Sequence, residues 1–269
     1  MDTQAFHAAV HALLRDVAQR AILPHYQMLA ADQVSAKAAD DVVTVADHLA
    51  EEMLEEGLAK IVPGLAVVGE EAAHADPAVL ERLAGDCWIV DPLDGTNNFA
   101  DGKPPFGILL AMASGGEAHS GWIYDPLRDR LCMAQRGAGA FVDGERVTAR
   151  ATGRQAPVAA ISLIFLEQAR REAMKRHIAP HYMLVDIPRC AAEQYPRLVL
   201  GENDVSIFER TLAWDHAAGV LFLNEAGGKA ARLDGSAYRV DEVGRTGLIG
   251  AATPALWDEL AERLDALAE

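Results

Sequence analysis

The twelve residues WIVDPLDGTNNF, Trp88 to Phe99, constrain what this chain can be more than any other stretch. Trp88-Ile89-Val90 reads as a short buried strand, and Pro92, which lacks an N–H, is expected to stop it just after Asp91. Asp91 and Asp94 then stand three residues apart where a strand ends, a common place for chemistry in open α/β folds. Gly95 lets the backbone approach a ligand closely. If Gly95 and Thr96 open a helix, their N–H groups are donors for phosphate oxygens.

Other acids also fall at element ends: Asp41 and Asp47 around Val42-Val43-Thr44, Glu70 after the strand Leu65 to Val68, and Asp215 in Thr211-Leu-Ala-Trp-Asp-His216. Taken singly, each has a plain reading as a helix cap, a turn former or a surface acid. Gathered in one site they would repel one another unless paired with cations, and three or four hard oxygen ligands are what Mg²⁺ binds. The overall charge points the same way. With 40 acidic against 24 basic residues and a formal charge of -16, the surface disfavours direct binding of nucleic acid, which depends on Lys and Arg. It also repels a phosphorylated small molecule unless a divalent cation supplies positive charge. An EF-hand loop is excluded because the twelfth residue from Asp91 is Gly102 rather than Glu. The haloacid-dehalogenase pattern is disfavoured because two residues, not one, separate the acids.

Apolar spacing predicts helices over Thr3 to Leu29, broken near Pro24, and over Thr44 to Lys60. In the second of these, Leu49, Met53, Leu54 and Leu58 form the expected buried face, and Glu51, Glu52, Glu55 and Glu56 a solvated one. Short apolar runs between turns from Phe106 to Val147 predict antiparallel strands. Past about Arg150 the pattern alternates: strand (Val158 to Phe165), helix (Glu167 to Ile178), strand (Met183 to Ile187), helix (Ala192 to Leu200), strand (Val205 to Phe208). A helix from Asp215 to Asn224 and a closing helix from Pro254 to Leu267 follow. This divides the chain into an N-terminal α+β domain, 1–150, carrying most of the acids, and a C-terminal α/β domain, 151–269, contributing Asp215. Cys87, Cys132 and Cys190 follow no zinc or disulfide spacing and are expected in the core, and His216, with no partner at i+4, is expected to be a hydrogen-bonded helix residue. No run of about 18 apolar residues and no basic leader at Met1 to Leu14 are present, so a cytoplasmic protein without a membrane span is expected.

With these residues assembled, the chain resembles the inositol monophosphatase family of lithium-sensitive, magnesium-dependent phosphatases. The matching segments are Asp41-Val-Val-Thr-Val-Ala-Asp47, Gly69-Glu70-Glu71, Asp91-Pro-Leu-Asp-Gly-Thr96 with Asn98-Phe99, and Trp214-Asp215 followed by Glu225-Ala-Gly-Gly228. The resemblance implies a layered αβαβα sandwich and a homodimer. It further implies that Glu70, Asp91 and the carbonyl of Leu93 hold a first Mg²⁺, that Asp91, Asp94 and Asp215 hold a second, and that a third lies near Glu70. A water activated with help from Glu70 and a Thr96–Asp47 pair would attack phosphorus, with Asp94, Gly95, Thr96 and Lys37 on the phosphate and substrate side. Physically this is two-metal hydrolysis of a small phosphorylated metabolite.

The sequence departs from the family at the substrate. Arg189-Cys-Ala-Ala-Glu-Gln-Tyr195 lacks the family's Gly-Ser, and Phe208 stands where an acid contacts inositol hydroxyls. A phenylalanine accepts no hydrogen bond from a polyol. Inositol 1-phosphate is the default substrate that the resemblance implies, the departures bring in histidinol phosphate, a sugar phosphate or a nucleotide 3′-phosphate as alternatives, and Tyr195 and Phe208 are either core or pocket wall. A different class of role, partner of the transcription antitermination machinery, is also implied by bacterial relatives.

Overall fold

The computed structural model describes residues 3–38, 41–161, 163 and 166–267. Helix α1 (Thr3–Val17) buries Val10, Leu14 and Val17, one stripe at helical spacing, and gives way to a π turn (Ala18–Ile22) and a 3-10 turn (Leu23–His25) that takes Pro24 near its start. Strands β1 (Val34–Ala38) and β2 (Asp41–Thr44) pair antiparallel as a separate ribbon. Thr44 then caps α2 (Val45–Ile61), whose buried stripe runs Ala46, Asp47, Ala50, Glu51, Leu54, Leu58. The expected face is thus rotated: Leu49 is 38 % exposed whereas Glu51 is 6 % exposed, so Glu51 is not part of a solvated run.

Next come β3 (Ala66–Gly69), α3 (Glu70–Ala75), β4 (Cys87–Asp94), α4 (Thr96–Ala100), β5 (Gly107–Ser114), β6 (Glu117–Asp125), β7 (Arg130–Gln135), β8 (Gly139–Val142) and β9 (Glu145–Val147). Among the described residues these seven strands form one sheet in chain order, with β3 parallel to β4 and the rest antiparallel. Pro92 does not end β4, contrary to expectation. The strand runs on to Asp94 because β3 has already ended at Gly69, opposite Val90, and the ladder to β5 slips between the pairs Asp91–Leu109 and Asp94–Gly107. No ladder bond there needs the missing N–H.

The remaining elements are β10 (Val158–Ile161), α5 (Gln168–His177), β11 (Met183–Leu184), α6 (Ala191–Val199), β12 (Val205–Phe208), α7 (Ala213–Glu225), β13 (Lys229–Ala231), β14 (Leu248–Ala251) and α8 (Pro254–Asp265). The strands make a second sheet in the order β11-β10-β12-β14-β13. Its first expected strand stops at Ile161, with 162, 164 and 165 outside the described residues, and the strand expected over Met183 to Ile187 is two residues long.

Side-chain alternation stacks the layers. On β4, Trp88 and Val90 face α1 and α2, packing with Leu14, Leu54 and Leu58, whereas Cys87 and Ile89 face α6 and α7, packing with Tyr195, Leu198 and Phe222. Phe208 and Leu248 of the second sheet join that same α6–α7 layer, and the far face of that sheet packs on α5 and α8 through Ile249, Met174 and Trp257. The order is helices, sheet, helices, sheet, helices: the expected αβαβα sandwich.

Candidate active site

The acids converge where β2, β3 and β4 end and where α7 begins. Thr44 is the N-cap of α2 and Asp47 its third residue: Thr44 N–H and Oγ1–H donate to Asp47 Oδ2 at 2.8 and 2.6 Å, and Ala46 N–H donates to Thr44 Oγ1 at 3.1 Å. This is a capping box, the reciprocal bonding that short polar residues give a helix start. It leaves Asp47 Oδ1 for Thr96, whose Oγ1 lies 3.1 Å from it and 2.8 Å from the Leu93 carbonyl oxygen. One hydroxyl proton serves one of these acceptors at a time. Burial pushes Asp47 up to about 7 against the Thr44 hydrogen bonds, with Glu71 and Glu70 adding to the rise. The side chain of Asp41 lies outside the described residues.

Gly69 ends β3 and is followed at once by Glu70 and Glu71 on the first turn of α3. Lys37 on β1 reaches across to both, donating from Nζ to Glu70 Oε1 at 2.9 Å and to Glu71 Oε1 at 2.5 Å. Its side chain is only 6 % exposed, so it is no solvated surface lysine. Burial disfavours the ammonium, but Glu70 and Glu71 together outweigh it and hold Lys37 above the ordinary lysine range.

Asp91 is 2 % exposed and accepts from Leu93 N–H at 3.0 Å. Burial raises its pKa first, followed by the charges of Glu70, Asp94, Asp215 and Asp47. Asp94 Oδ2 accepts from Ala192 N–H, in the first turn of α6, at 2.6 Å, and burial pushes Asp94 up to about 6 against that bond. Gly95, with φ of 85°, is the cap of α4, and Thr96 is that helix's first residue, as the sequence suggested. Asp215 lies half-buried in the first turn of α7.

The donors are all hard oxygens and the charge they share is negative, which is the chemistry Mg²⁺ selects, so the residues fit that ion. Among the described residues no three His, Cys, Asp or Glu side chains form a ready-made ligand cluster. The carboxylates face Leu93 N–H, Ala192 N–H and Lys37 instead.

Sequence reasoning missed two participants. Glu51 accepts from Glu71 N–H and Ala72 N–H, at 3.0 and 2.8 Å, and burial pushes it up to about 7. Cys190, expected only as core, is buried but sits with its Sγ 3.8 Å from the Asp94 carbonyl oxygen. The spacing of Asp47 and Glu51, one helical turn apart, was the available signal for the first; the second had none.

Beside Asp215, Tyr195 stacks on Phe208 at 5.1 Å and Phe208 meets His216 edge-on at 4.9 Å. His216 Nε2 lies 3.0 Å from the Arg210 carbonyl oxygen, an acceptor only, so Nε2 carries the proton and Nδ1 accepts from Tyr195 O–H at 2.7 Å. Burial drives His216 down to about 3, the neutral hydrogen-bonded histidine that the sequence suggested. Tyr195 is fully buried and Phe208 is 8 % exposed, so both are core residues.

The sequence model of the inositol monophosphatase family matches residues 2–269. An inositol-1-monophosphatase of Caulobacter vibrioides is 34 % identical over 240 residues, 87 % of this chain and 91 % of that one. A Nus factor SuhB of Xylella fastidiosa is 29 % identical over 228 residues, 83 % and 81 % of the two chains. The crystal structure of the extragenic suppressor protein suhB from Bartonella henselae superposes with a TM-score of 0.80 at 27 % identity, covering 97 % of this chain and 98 % of that one. The chain belongs to the inositol monophosphatase family and is a phosphoric monoester hydrolase.

Proposed function

We propose that the chain is a Mg²⁺-dependent phosphomonoesterase acting on a small phosphorylated metabolite, with inositol 1-phosphate as the default substrate. The observation that carries this reading is the burial of Asp91 among the charges of Glu70, Asp94 and Asp215, directly before the Gly95–Thr96 turn. So many acids in one place call for cations. Glu70, Asp91 and the Leu93 carbonyl would hold one Mg²⁺, Asp91, Asp94 and Asp215 a second, with Glu70 near a third. When bound, the ions neutralise the phosphate and the carboxylates and make water a stronger nucleophile.

The protein's own groups do the rest. Gly95 and Thr96 offer N–H donors to phosphate oxygens, Lys37 adds a cation beside Glu70, and Asp47, held near neutral pH by burial, takes up a proton relayed through Thr96 Oγ1. Lithium sensitivity, a homodimer and a cytoplasmic address go with this reading as the family resemblance implies them. No helix among the described residues is long and apolar enough to cross a membrane.

The position where the family resemblance implies an acid is taken by Phe208, a core residue packed against Tyr195, which gives a polyol no acceptor. Histidinol phosphate, a sugar phosphate and a nucleotide 3′-phosphate are the alternatives. The relatives named Nus factor SuhB favour a second reading, in which this chain also binds transcription factors. The test is phosphate release from a panel of these esters with and without Mg²⁺, alongside a pull-down. Mg²⁺-dependent hydrolysis of one preferred ester supports the first reading. No turnover of any ester, with RNA polymerase factors captured, supports the second.

A further inference from the structure

We propose that Glu51 is a positioning residue for the acidic site, a buried carboxylate that fixes the first turn of α3 and thereby aims Glu70 and Glu71. The proposal rests on the reading that Glu70 helps hold Mg²⁺. Two independent features carry it. The N-cap of α3 is Gly69, which has no side chain to receive the free N–H groups of that turn. Glu51, reaching from α2, receives them instead through Glu71 N–H at 3.0 Å and Ala72 N–H at 2.8 Å.

The second feature is Gly69 itself. Its φ of -94° and ψ of 156° suit any residue, so glycine is not required there for its backbone. It is required for space: a Cβ would lie 2.5 Å from Glu51 Cδ and within 2.7 Å of both carboxylate oxygens. Gly69 and Glu51 are therefore a matched pair, one leaving the volume that the other fills. A leucine at position 51 would continue the apolar stripe of Leu54 and Leu58, but it would leave two amides of α3 without an acceptor. The turn so held is the one whose first two side chains share Lys37.

The experiment uses the full chain stripped of metal, and four variants: Glu51→Gln, Glu51→Ala, Gly69→Ala and the double Glu51→Ala/Gly69→Ala. Mg²⁺ binding is read by calorimetry, and amide exchange is read at Glu71 and Ala72. Glu51→Gln is expected to weaken Mg²⁺ binding about tenfold, the usual scale for a group that orients a ligand, and to speed exchange at both amides. Gly69→Ala should weaken binding comparably in the wild-type background. In the Glu51→Ala background it should add little, because the side chain it collides with is gone. Unchanged Mg²⁺ binding in both Glu51→Gln and Gly69→Ala, even with lower melting temperatures, would overturn the proposal and leave Glu51 a stabilising residue only. Wild-type protein that binds no Mg²⁺ would overturn the reading that Glu70 helps hold Mg²⁺ as well, which separates the two failures.

Discussion

At Gly95 the chain turns with φ of 85°, and a Cβ there would lie 2.8 Å from the Pro105 carbonyl oxygen and 3.3 Å from Cys190 Cβ. The carbonyl oxygen, and Phe106 Cα at 3.3 Å, are backbone and cannot swing away. Gly95→Ala is therefore expected to cost about 2 kcal/mol or more, from left-handed strain plus the collision, and urea unfolding will measure it. A midpoint equal to wild type would refute that account of the turn. At the adjacent Asp94 the expectation is opposite in kind. Asn at this position keeps an oxygen for Ala192 N–H, so Asp94→Asn should fold normally, yet it removes one charge from the proposed cation site. Turnover is expected to fall roughly a hundredfold or more. Near-normal rates in that variant would remove Asp94 from the list of metal ligands.

Elements show why some of the site was readable and some was not. The Asp91 to Thr96 segment announced itself because its residue types are unusual and lie next to one another in sequence. Glu51 did not, because a charge on a helix reads as solvated until something outside the helix gives it partners, and those partners are amides on α3 some 20 residues away. The end of β4 was misjudged for a similar reason: whether a proline stops a strand depends on whether a neighbouring strand needs its N–H, and β3 had already ended. Helix α6 ties two parts of the site together, bonding Asp94 through Ala192 N–H and anchoring α7 through Tyr195 and His216. Tyr195→Phe keeps the ring stack but leaves His216 Nδ1 a buried acceptor without a donor. A loss of about 1–3 kcal/mol is expected, seen as a lower denaturation midpoint at constant m. If the midpoint stays put, the hydroxyl does not anchor α7.

At the scale of the whole molecule, the layered order could be anticipated from the alternation of elements and the family resemblance, but the central layer could not be drawn from a division at residue 150. Helices α6 and α7, from beyond that point, pack between both sheets and share a core with β4 and β6. The molecule gathers its acids on that frame, and the consequence is a pH dependence of unusual sign. Asp47 and Glu51 are pushed up to about 7 and Asp94 to about 6, each chiefly by burial, whereas in an unfolded chain they titrate near 4. Between those limits the metal-free folded state binds more protons than the unfolded one, so stability rises as pH falls, by at most about 1.4 kcal/mol per pH unit for each group. His216 acts in the other direction, since burial lowers it to about 3 and the unfolded chain takes up its proton below about 6.5. Three acids outweigh one histidine, and relief of the self-repulsion of a formal charge of -16 adds to the acids. In a chelator, the melting temperature is therefore expected to be higher near pH 6 than near pH 8. With Mg²⁺ added, Asp94 is held ionised as a proposed ligand and the nearby cations favour the charged form of the other acids, so the difference should shrink. Scanning calorimetry at the two pH values, with chelator and with Mg²⁺, makes the comparison. Metal-free protein that is less stable near pH 6 would contradict the burial of these acids, and the same gradient in both conditions would separate them from cation binding.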